Sequence, residues 1–459
     1  MLISRDHETI VAQCSPDGIG AVALIRLSGA TAFEIADRIC LLHDKTLCTV
    51  PTHTIHYGAV INQDKAPIDQ VLFLAMRAPR TFTGQDTIEI TCHNNPFIIA
   101  AIIQRAIECG ARIAAPGEFT RRAVVNGKID LLQAEAINDL IHAHSQKALE
   151  KSLAQLGGTL SATIHSIEQR LLKAIALCDA SFEFLDEEHM GFKAQIGSLL
   201  EAIKQEIRTL CSASGHQKYI REGVRIALIG AVNAGKSSLF NMLAGADRAI
   251  VTPIAGTTRD TLETGLYRDG MYWTLIDTAG LRTTDDIIER EGINRSYQQA
   301  HQADVILLVL DSAALITEQE NAVYQDLINR YESKIITVFT KSDLPARLLF
   351  NGTVKKTVKS SIKDCASAEL IKDAIQEIVD QLSSTWQLPF LINQRHLNFL
   401  IALADRLETA QSILEKEPVA YELVSYHLND LLSSMTDFTG KSISEYAMDE
   451  VFRSFCVGK

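Results

Sequence analysis

The sequence predicts an α/β plus α fold in three parts. An N-terminal α/β domain spans residues 1–118. A discontinuous helical domain is made of residues 119–218 and 384–459. A second α/β domain, residues 219–383, is inserted between its halves. Three observations predict this. Short apolar runs bounded by Gly or Pro dominate the first part. Apolar residues at spacings of three and four mark the helical stretches. Continuous apolar runs alternating with helical texture mark the inserted part, as buried parallel strands require.

Taken in order, residues 22–27 and 71–75 read as strands, and residues 96–110 as a helix closed by Gly110. Leu149, Leu153, Leu156, Leu160, Ile164, Ile167, Leu171 and Ile175 fall on one stripe of a long helix, with Gly157-Gly158 a place for a kink or break. Ile196, Leu200, Ile203, Ile207 and Leu210 repeat the pattern. Residues 224–229, 273–276, 305–310 and 335–339 read as buried strands, and Asp269-Gly270 as a hairpin turn. Helical texture returns with Leu397, Leu400, Ile401, Ala404 and Leu407, then Leu428, Leu431, Leu432 and Met435. Each helical piece alone has few partners for its stripes, which favours one domain interrupted by an insertion.

Bulk properties narrow the class. An apolar fraction of 47% and a charged fraction of 22% are those of an ordinary globular chain. With 44 Lys+Arg against 56 Asp+Glu, the net charge of −12 argues against binding nucleic acid or membrane by bulk charge. Nine scattered cysteines, none in CxxC, suggest neither a zinc site nor a disulfide framework. The first residues are charged where a signal peptide is apolar, and no apolar run reaches membrane-spanning length. A soluble, cytoplasmic protein is expected.

The chemistry is concentrated in the inserted part. Gly230-Ala231-Val232-Asn233-Ala234-Gly235-Lys236-Ser237 matches GxxxxGK[ST], follows an expected strand and precedes a helix-like segment. Backbone N–H groups from Asn233, Ala234, Gly235, Lys236, Ser237 and Ser238 would close around phosphates at a helix N-terminus. Lys236 would contact the β- and γ-phosphates and Ser237 would ligate Mg²⁺. Asp277-Thr278-Ala279-Gly280 ends the next strand, where an acidic residue holds Mg²⁺ through water and a glycine N–H senses the γ-phosphate. Between them lies Gly256-Thr257-Thr258-Arg259-Asp260, where a switch loop supplies a threonine, with Thr258 the expected second Mg²⁺ ligand; the preceding Thr252, Pro253, Ile254 and Ala255 are counted with Gly256, Thr257 and Thr258 as nucleotide-binding.

Thr340-Lys341-Ser342-Asp343 fits the guanine-reading pattern NKxD. The carboxylate of Asp343 can accept from guanine N1–H and its exocyclic amine, a pairing adenine does not offer. Lys341 can lie along the base. Thr340 stands where Asn is usual, losing an amide bond to the base or the P-loop. Ser360-Ser361 sits where a Ser-Ala pair supports the base through backbone groups. The set predicts a Ras-like P-loop GTPase domain. Two usual groups are missing: Leu281 replaces the water-orienting Gln, and no arginine finger is evident.

The chain resembles the MnmE (TrmE) family of tRNA-modification GTPases. Beyond the GTPase block, the resemblance rests on Thr9-Ile10-Val11-Ala12-Gln13, Leu24-Ile25-Arg26-Leu27-Ser28-Gly29, Pro116-Gly117-Glu118-Phe119-Thr120-Arg121-Arg122-Ala123, Asn126-Gly127-Lys128-Ile129-Asp130-Leu131 and the tail Phe455-Cys456-Val457-Gly458-Lys459. It implies an N-terminal domain that dimerises and binds a formyl-tetrahydrofolate, held by Arg26, Glu89, Lys128 and Lys459. It implies a K⁺ ion in place of the arginine finger, with Asn233, Thr252, Ile254 and Thr257 as ligands. Glu289 would orient the attacking water, with Glu291 a neighbouring alternative. The implied reaction, with an MnmG (GidA)-type flavoprotein in a heterotetramer, adds a carboxymethylaminomethyl-type group at C5 of tRNA wobble uridine. The sequence departs from the family at Cys92-His93-Asn94-Asn95, where GHGG is usual, and at Thr340, Ser361, Val457 and Ala231-Val232. His93 lacks partners for a metal role, and Cys456 reads as a packed cysteine before a reactive one. The rival readings are an Era-type RNA-binding GTPase, which requires a KH-like module with a GXXG loop after the G domain, a folate-dependent transferase with a degenerate nucleotide site, and a GTP-gated structural dimer.

Overall fold

A computed structural model of the protein describes residues 7–43, 45–183, 191–246, 262–277, 297–348, 350, 355–364, 366–383, 388–442, 444–453 and 455–458. Contacts divide the chain into two compact units. Met1–Asn138, Gln155–Ile203 and Asp405–Lys459 form the first; Asp139–Ala154 and Lys204–Ala404 form the second. Among the described residues no helix is long and apolar enough to cross a membrane.

The first unit is built on a seven-stranded sheet. Its strands are β1 (Ile10–Gln13), β2 (Val22–Ser28), β3 (Cys40–Leu41), β4 (Thr54–Ile61), β5 (Pro67–Met76), β6 (Thr87–His93) and β7 (Arg112–Ile113). They lie in the order β3-β4-β5-β6-β2-β1-β7, antiparallel except where β7 runs parallel to β1. Helices α1 (Ala32–Ile39) and α2 (Pro96–Glu108) contribute Phe33, Ile35, Ile39 and Ile102 to a core with Ile25, Leu27, Phe73, Ile88 and Ile90 of the sheet. Alternation puts the intervening residues on the other face, which Phe119 covers at β1 and which is open at β4 and β5. Ile55 and Tyr57 on β4 are 63% and 66% exposed, with Leu72 of β5 beside Tyr57. The departure from GHGG has a local reason. Asn95 caps α2 by accepting from Phe97 N, Pro96 occupies the first turn, and Asn94 Nδ2 donates to Gly18 O at 2.8 Å.

Helices follow: α3 (Glu118–Val125), α4 (Leu131–Ile141), α5 (Gln146–Leu156), α6 (Thr159–Glu183) and α7 (Phe192–Glu222). The single long helix expected across 149–175 is two helices, because Gly158 takes φ +94° and ends α5. The break frees α5 from the phase of α6. Leu149 and Leu153 are therefore exposed while Ala148, Ser152 and Gln155 are buried, against the expected stripe. From Leu160 onward the stripe is buried as expected, as are Ile196, Leu200, Ile203, Ile207 and Leu210.

The second unit carries a six-stranded sheet of β8 (Val224–Ile229), β9 (Leu262–Arg268), β10 (Met271–Asp277), β11 (Val305–Asp311), β12 (Ile335–Thr340) and β13 (Thr357–Lys359). Its order is β13-β12-β11-β8-β10-β9, parallel except for the edge strand β9. Helices cover both faces. Leu239, Phe240 and Leu243 of α8 (Lys236–Ala246) pack with one face. Tyr324, Leu327 and Ile328 of α9 (Glu318–Tyr331) pack with the other. Helix α10 (Ala366–Ser383) joins α8 through Ile371, Ile375 and Ile378. Burial on both sides explains why β8, β11 and β12 are apolar but for Arg225, Asp311, Thr337 and Thr340. Asp269 and Gly270, at φ 48° and 76°, form the hairpin turn joining β9 to β10.

The remaining helices are α11 (Gln394–Leu414), α12 (Tyr421–Thr439) and α13 (Glu445–Phe452). On α11 the buried row runs Leu400, Leu403, Leu407, Ala410 and Leu414; Ile401, expected inside, is exposed. In the first unit α12 packs along α6. It ends at Gly440, which takes φ +87°. Lys441, next in the chain, ion-pairs with Glu168 of α6 at 2.8 Å.

Candidate functional site: a P-loop and its base-reading loops

The carboxyl ends of β8, β10, β11, β12 and β13 lie along one edge of the second sheet, where open α/β sheets bind ligands. The P-loop leaves β8 at Gly230. A Cβ there would sit 2.3 Å from Val309 O, so only glycine fits. Asn233 and Gly235 take φ 63° and 97°, which turns the backbone before α8 starts at Lys236. Asn tolerates this left-handed geometry better than most residues. Ser237 and Ser238 are exposed in the first turn of α8. The side chain of Lys236 is buried and crosses its own loop, donating to Gly230 O and Ala231 O at 2.8 Å each.

Thr340 ends β12. Its buried hydroxyl lies 2.6 Å from Ala234 O and 3.1 Å from Leu310 O. The bond to the P-loop that the change from Asn was expected to cost is made by the threonine hydroxyl. Lys341, at φ 54°, sends Nζ to Asn233 O at 3.2 Å and to Asp311 Oδ2 at 2.5 Å. Asp343 is held from two sides: Ser361 Oγ donates to Oδ1 at 2.9 Å, and Lys363 Nζ pairs with Oδ2 at 2.8 Å. Lys363, then Ser361, hold its pKa below the usual carboxylate range. The group is therefore an acceptor at neutral pH, as reading guanine N1–H requires. Ser360 is buried and works through its backbone, accepting from Ser342 N at 3.2 Å. Ser361 thus contributes a side chain where the sequence suggested only backbone support.

Several expected residues lie outside the described ones. They are Thr252, Pro253, Ile254, Ala255, Gly256, Thr257 and Thr258 of the switch loop, Thr278, Ala279, Gly280 and Glu289 after β10, and Lys459. Asp277 is described in its backbone, as the last residue of β10, paired with Leu228 of β8.

A second polar cluster lies on the first sheet, on the face that Phe119 covers. Arg26 on β2 stands opposite Glu89 on β6, and their side chains pair at 2.8 Å. The Arg26 guanidinium lies 5.3 Å from the Phe119 ring centroid and 5.8 Å from that of Phe82. Lys128 Nζ donates to Pro79 O at 2.8 Å, and its stem lies against Gly84. The loop of residues 79–86 thus sits between Arg26 and Lys128. Gly458 packs so closely on β1 that a Cβ would lie 2.1 Å from Gln13 O, one residue from Ala12, the strand partner of Arg26.

Segment 116–123 has a structural role the motif did not announce. Glu118 accepts from Arg112, from Arg122 and from Ala115 N. Arg122 is 0% and Glu118 6% exposed. Burial pushes the Glu118 pKa up; the two arginines and the amide outweigh it and hold the carboxyl below its usual range. Gly117 N donates to Cys456 O at 3.2 Å, so this turn also seats the tail.

Sequence reading missed Asp311 and Lys363. A lone Asp and a lone Lys carry no local pattern, and they acquire meaning only when the ends of separate strands meet. Among the described residues no cluster of His, Cys, Asp and Glu is arranged to hold a metal ion.

Comparison with known proteins agrees with this architecture. Residues 9–128 match the family described as GTP-binding protein TrmE N-terminus, and residues 131–456 match the MnmE helical domain. The chain is 36% identical to the tRNA modification GTPase MnmE of Bacillus subtilis (strain 168), covering 98% of this chain and 100% of that protein. It is 36% identical to the protein of the same name from Enterococcus faecalis (strain ATCC 700802 / V583), with 99% of each covered. The G domain of the T. maritima FeoB iron transporter is 26% identical over 34% of this chain and 98% of that one, with a TM-score of 0.25, too low to carry an argument. A TrmE-type N-terminal sheet, an MnmE-type helical domain and a P-loop sheet therefore occur together along one chain, which belongs to the MnmE family of tRNA modification GTPases.

Proposed function

We propose that this chain hydrolyses GTP with K⁺ in the role of an arginine finger, works as a homodimer, and joins an MnmG (GidA)-type flavoprotein in a heterotetramer. The complex would add a carboxymethylaminomethyl-type group at C5 of tRNA wobble uridine in the cytoplasm: formyl-tetrahydrofolate would supply the methylene carbon, reduced by two electrons from NADH through the flavoprotein, and glycine would supply the nitrogen and the carboxymethyl arm. The observation that carries the reading is the convergence of P-loop, Thr340, Lys341 and Asp343 at one sheet edge, in a chain of this family.

In this reading the P-loop amides and Lys236 receive the β- and γ-phosphates. Ser237 and Thr258 hold Mg²⁺. Asn233, Thr252, Ile254 and Thr257 hold K⁺, which offsets charge developing on the transferred phosphoryl group. Glu289 orients water. The left-handed backbone and exposed side chain of Asn233 are consistent with its assignment.

The folate assignment is supported by chemistry and position. Glu89 can read an amino-pyrimidine edge, Phe82 and Phe119 supply aromatic surface, and Lys128 can meet carboxylates. The packing of Gly458 on β1 is consistent with Lys459 joining them. The open apolar face at Ile55, Tyr57 and Leu72 supports a second copy as partner. An Era-type reading lacks support, since the described residues after α10 form helices α11–α13.

The test is reconstitution: the chain, an MnmG-type flavoprotein with NADH as reductant, GTP, Mg²⁺, K⁺, formyl-tetrahydrofolate, glycine and unmodified tRNA, with nucleosides analysed by mass spectrometry. A C5-substituted wobble uridine that requires all components supports the proposal. Unmodified uridine in the complete mixture, with the GTPase active, overturns it.

A further inference from the structure

We propose that Asp311 is a positioning residue for guanine recognition, acting through Lys341. The inference rests on the reading of Thr340-Lys341-Ser342-Asp343 as the base-reading loop. Asp311 is the last residue of β11 and the register partner of Thr340 on β12. Its two carboxylate oxygens have separate tasks. Oδ1 accepts from Ala313 N at 2.9 Å, which fixes the group to its own turn. Oδ2 accepts from Lys341 Nζ at 2.5 Å. The side chain is only 15% exposed, so the pair is partly shielded from water.

The other contacts of Lys341 show what this fixes. The same ammonium donates to Asn233 O in the P-loop at 3.2 Å. Thr340, its neighbour, joins the same three segments through Ala234 O and Leu310 O. Two consecutive residues therefore staple the base-reading loop to both the P-loop and the end of β11. A lysine on a four-carbon stem has many rotamers, and a compact ammonium sets no direction by itself. Asp311, anchored by its turn, supplies the direction. It holds the lysine stem along the groove where a base would lie beside Asp343.

The experiment compares Asp311→Asn, Lys341→Ala and the double variant, reading GDP affinity by fluorescence titration and unfolding by thermal melt. Asn keeps the acceptor for Ala313 N, so the turn survives. Its amide cannot hold the ammonium as a carboxylate does. D311N should weaken GDP about five- to tenfold, the effect of a charge-assisted hydrogen bond discounted for partial exposure. In the K341A background it should add nothing, because the residue through which it acts is gone. A melt close to the parent's separates this from a merely structural role. If D311N binds GDP like the parent while K341A is weakened, or if the two losses add, the role of Asp311 is overturned and the base-reading assignment stands. If K341A itself binds GDP normally, both are overturned.

Discussion

Removing the hydroxyl of Thr340 is the sharpest perturbation of the nucleotide site that leaves its charges intact. Thr340→Val keeps shape and β-branching, and deletes one buried donor that lies 2.6 Å from Ala234 O and 3.1 Å from Leu310 O. A hydrogen bond of this kind contributes about 1 kcal/mol net. Leaving a buried carbonyl without its donor raises the cost to roughly 1–3 kcal/mol. At about 2–4 °C per kcal/mol for a unit of this size, the melting temperature should fall by several degrees. Ala234 lies between Asn233 and Gly235, the two left-handed residues of the P-loop. The loss therefore acts on the backbone that would surround the phosphates. If the loss costs the GDP-bound state about 1 kcal/mol more than the free state, GDP affinity falls about fivefold. Titration with a fluorescent GDP analogue measures this beside the parent and Thr340→Asn. Asn restores an amide donor toward Ala234 O and should bind at least as well as the parent. A Val variant with unchanged melting and unchanged affinity would refute the claim that Thr340 replaces the missing amide bond.

Three further outcomes are expected. Glu118→Gln leaves the fully buried Arg122 without its carboxylate partner and should cost about 3 kcal/mol in chemical denaturation. The pH dependence follows from the direction of the Glu118 shift: its folded pKa lies below the unfolded value of about 4.3. Its contribution is present above that value and is lost as pH falls through the folded pKa, so an acid titration of stability should be steeper for the parent than for E118Q. Gly458→Ala places a methyl group 2.1 Å from Gln13 O, which must displace the tail; calorimetry should show weaker folate binding with GTP turnover unchanged.

Much of the fold was legible because its signals are local. The run 224–229 followed by GxxxxGK[ST] specifies strand, loop and helix in succession, and the structure has β8, the P-loop and α8 there. Asp269-Gly270 is a hairpin turn for a reason contained in two residues. What escaped depends on phase and assembly. Leu149 and Leu153 look like the start of the α6 stripe until Gly158 resets the helix. Helix α1 spans only Ala32–Ile39, too short for its period to stand out. Asp311 and Lys363 owe their roles to residues distant in sequence, and single residues carry no spacing to read; Glu118 has partners within six residues, but their meeting depends on the turn that folds them together. The value of Thr340 was misjudged from the sequence because the position of Ala234 O relative to a short side chain is set by the packing of three strands.

The most direct test of the account is GTP turnover by the full chain in KCl and in NaCl at equal ionic strength, with Asn233→Ala measured in both. Strong stimulation by K⁺ that disappears in the variant is expected, while GDP binding through Lys341 and Asp343 survives. Equal turnover in the two salts, or stimulation that persists in the variant, would contradict the assignment of a K⁺ ion held by Asn233 to the role of the missing arginine.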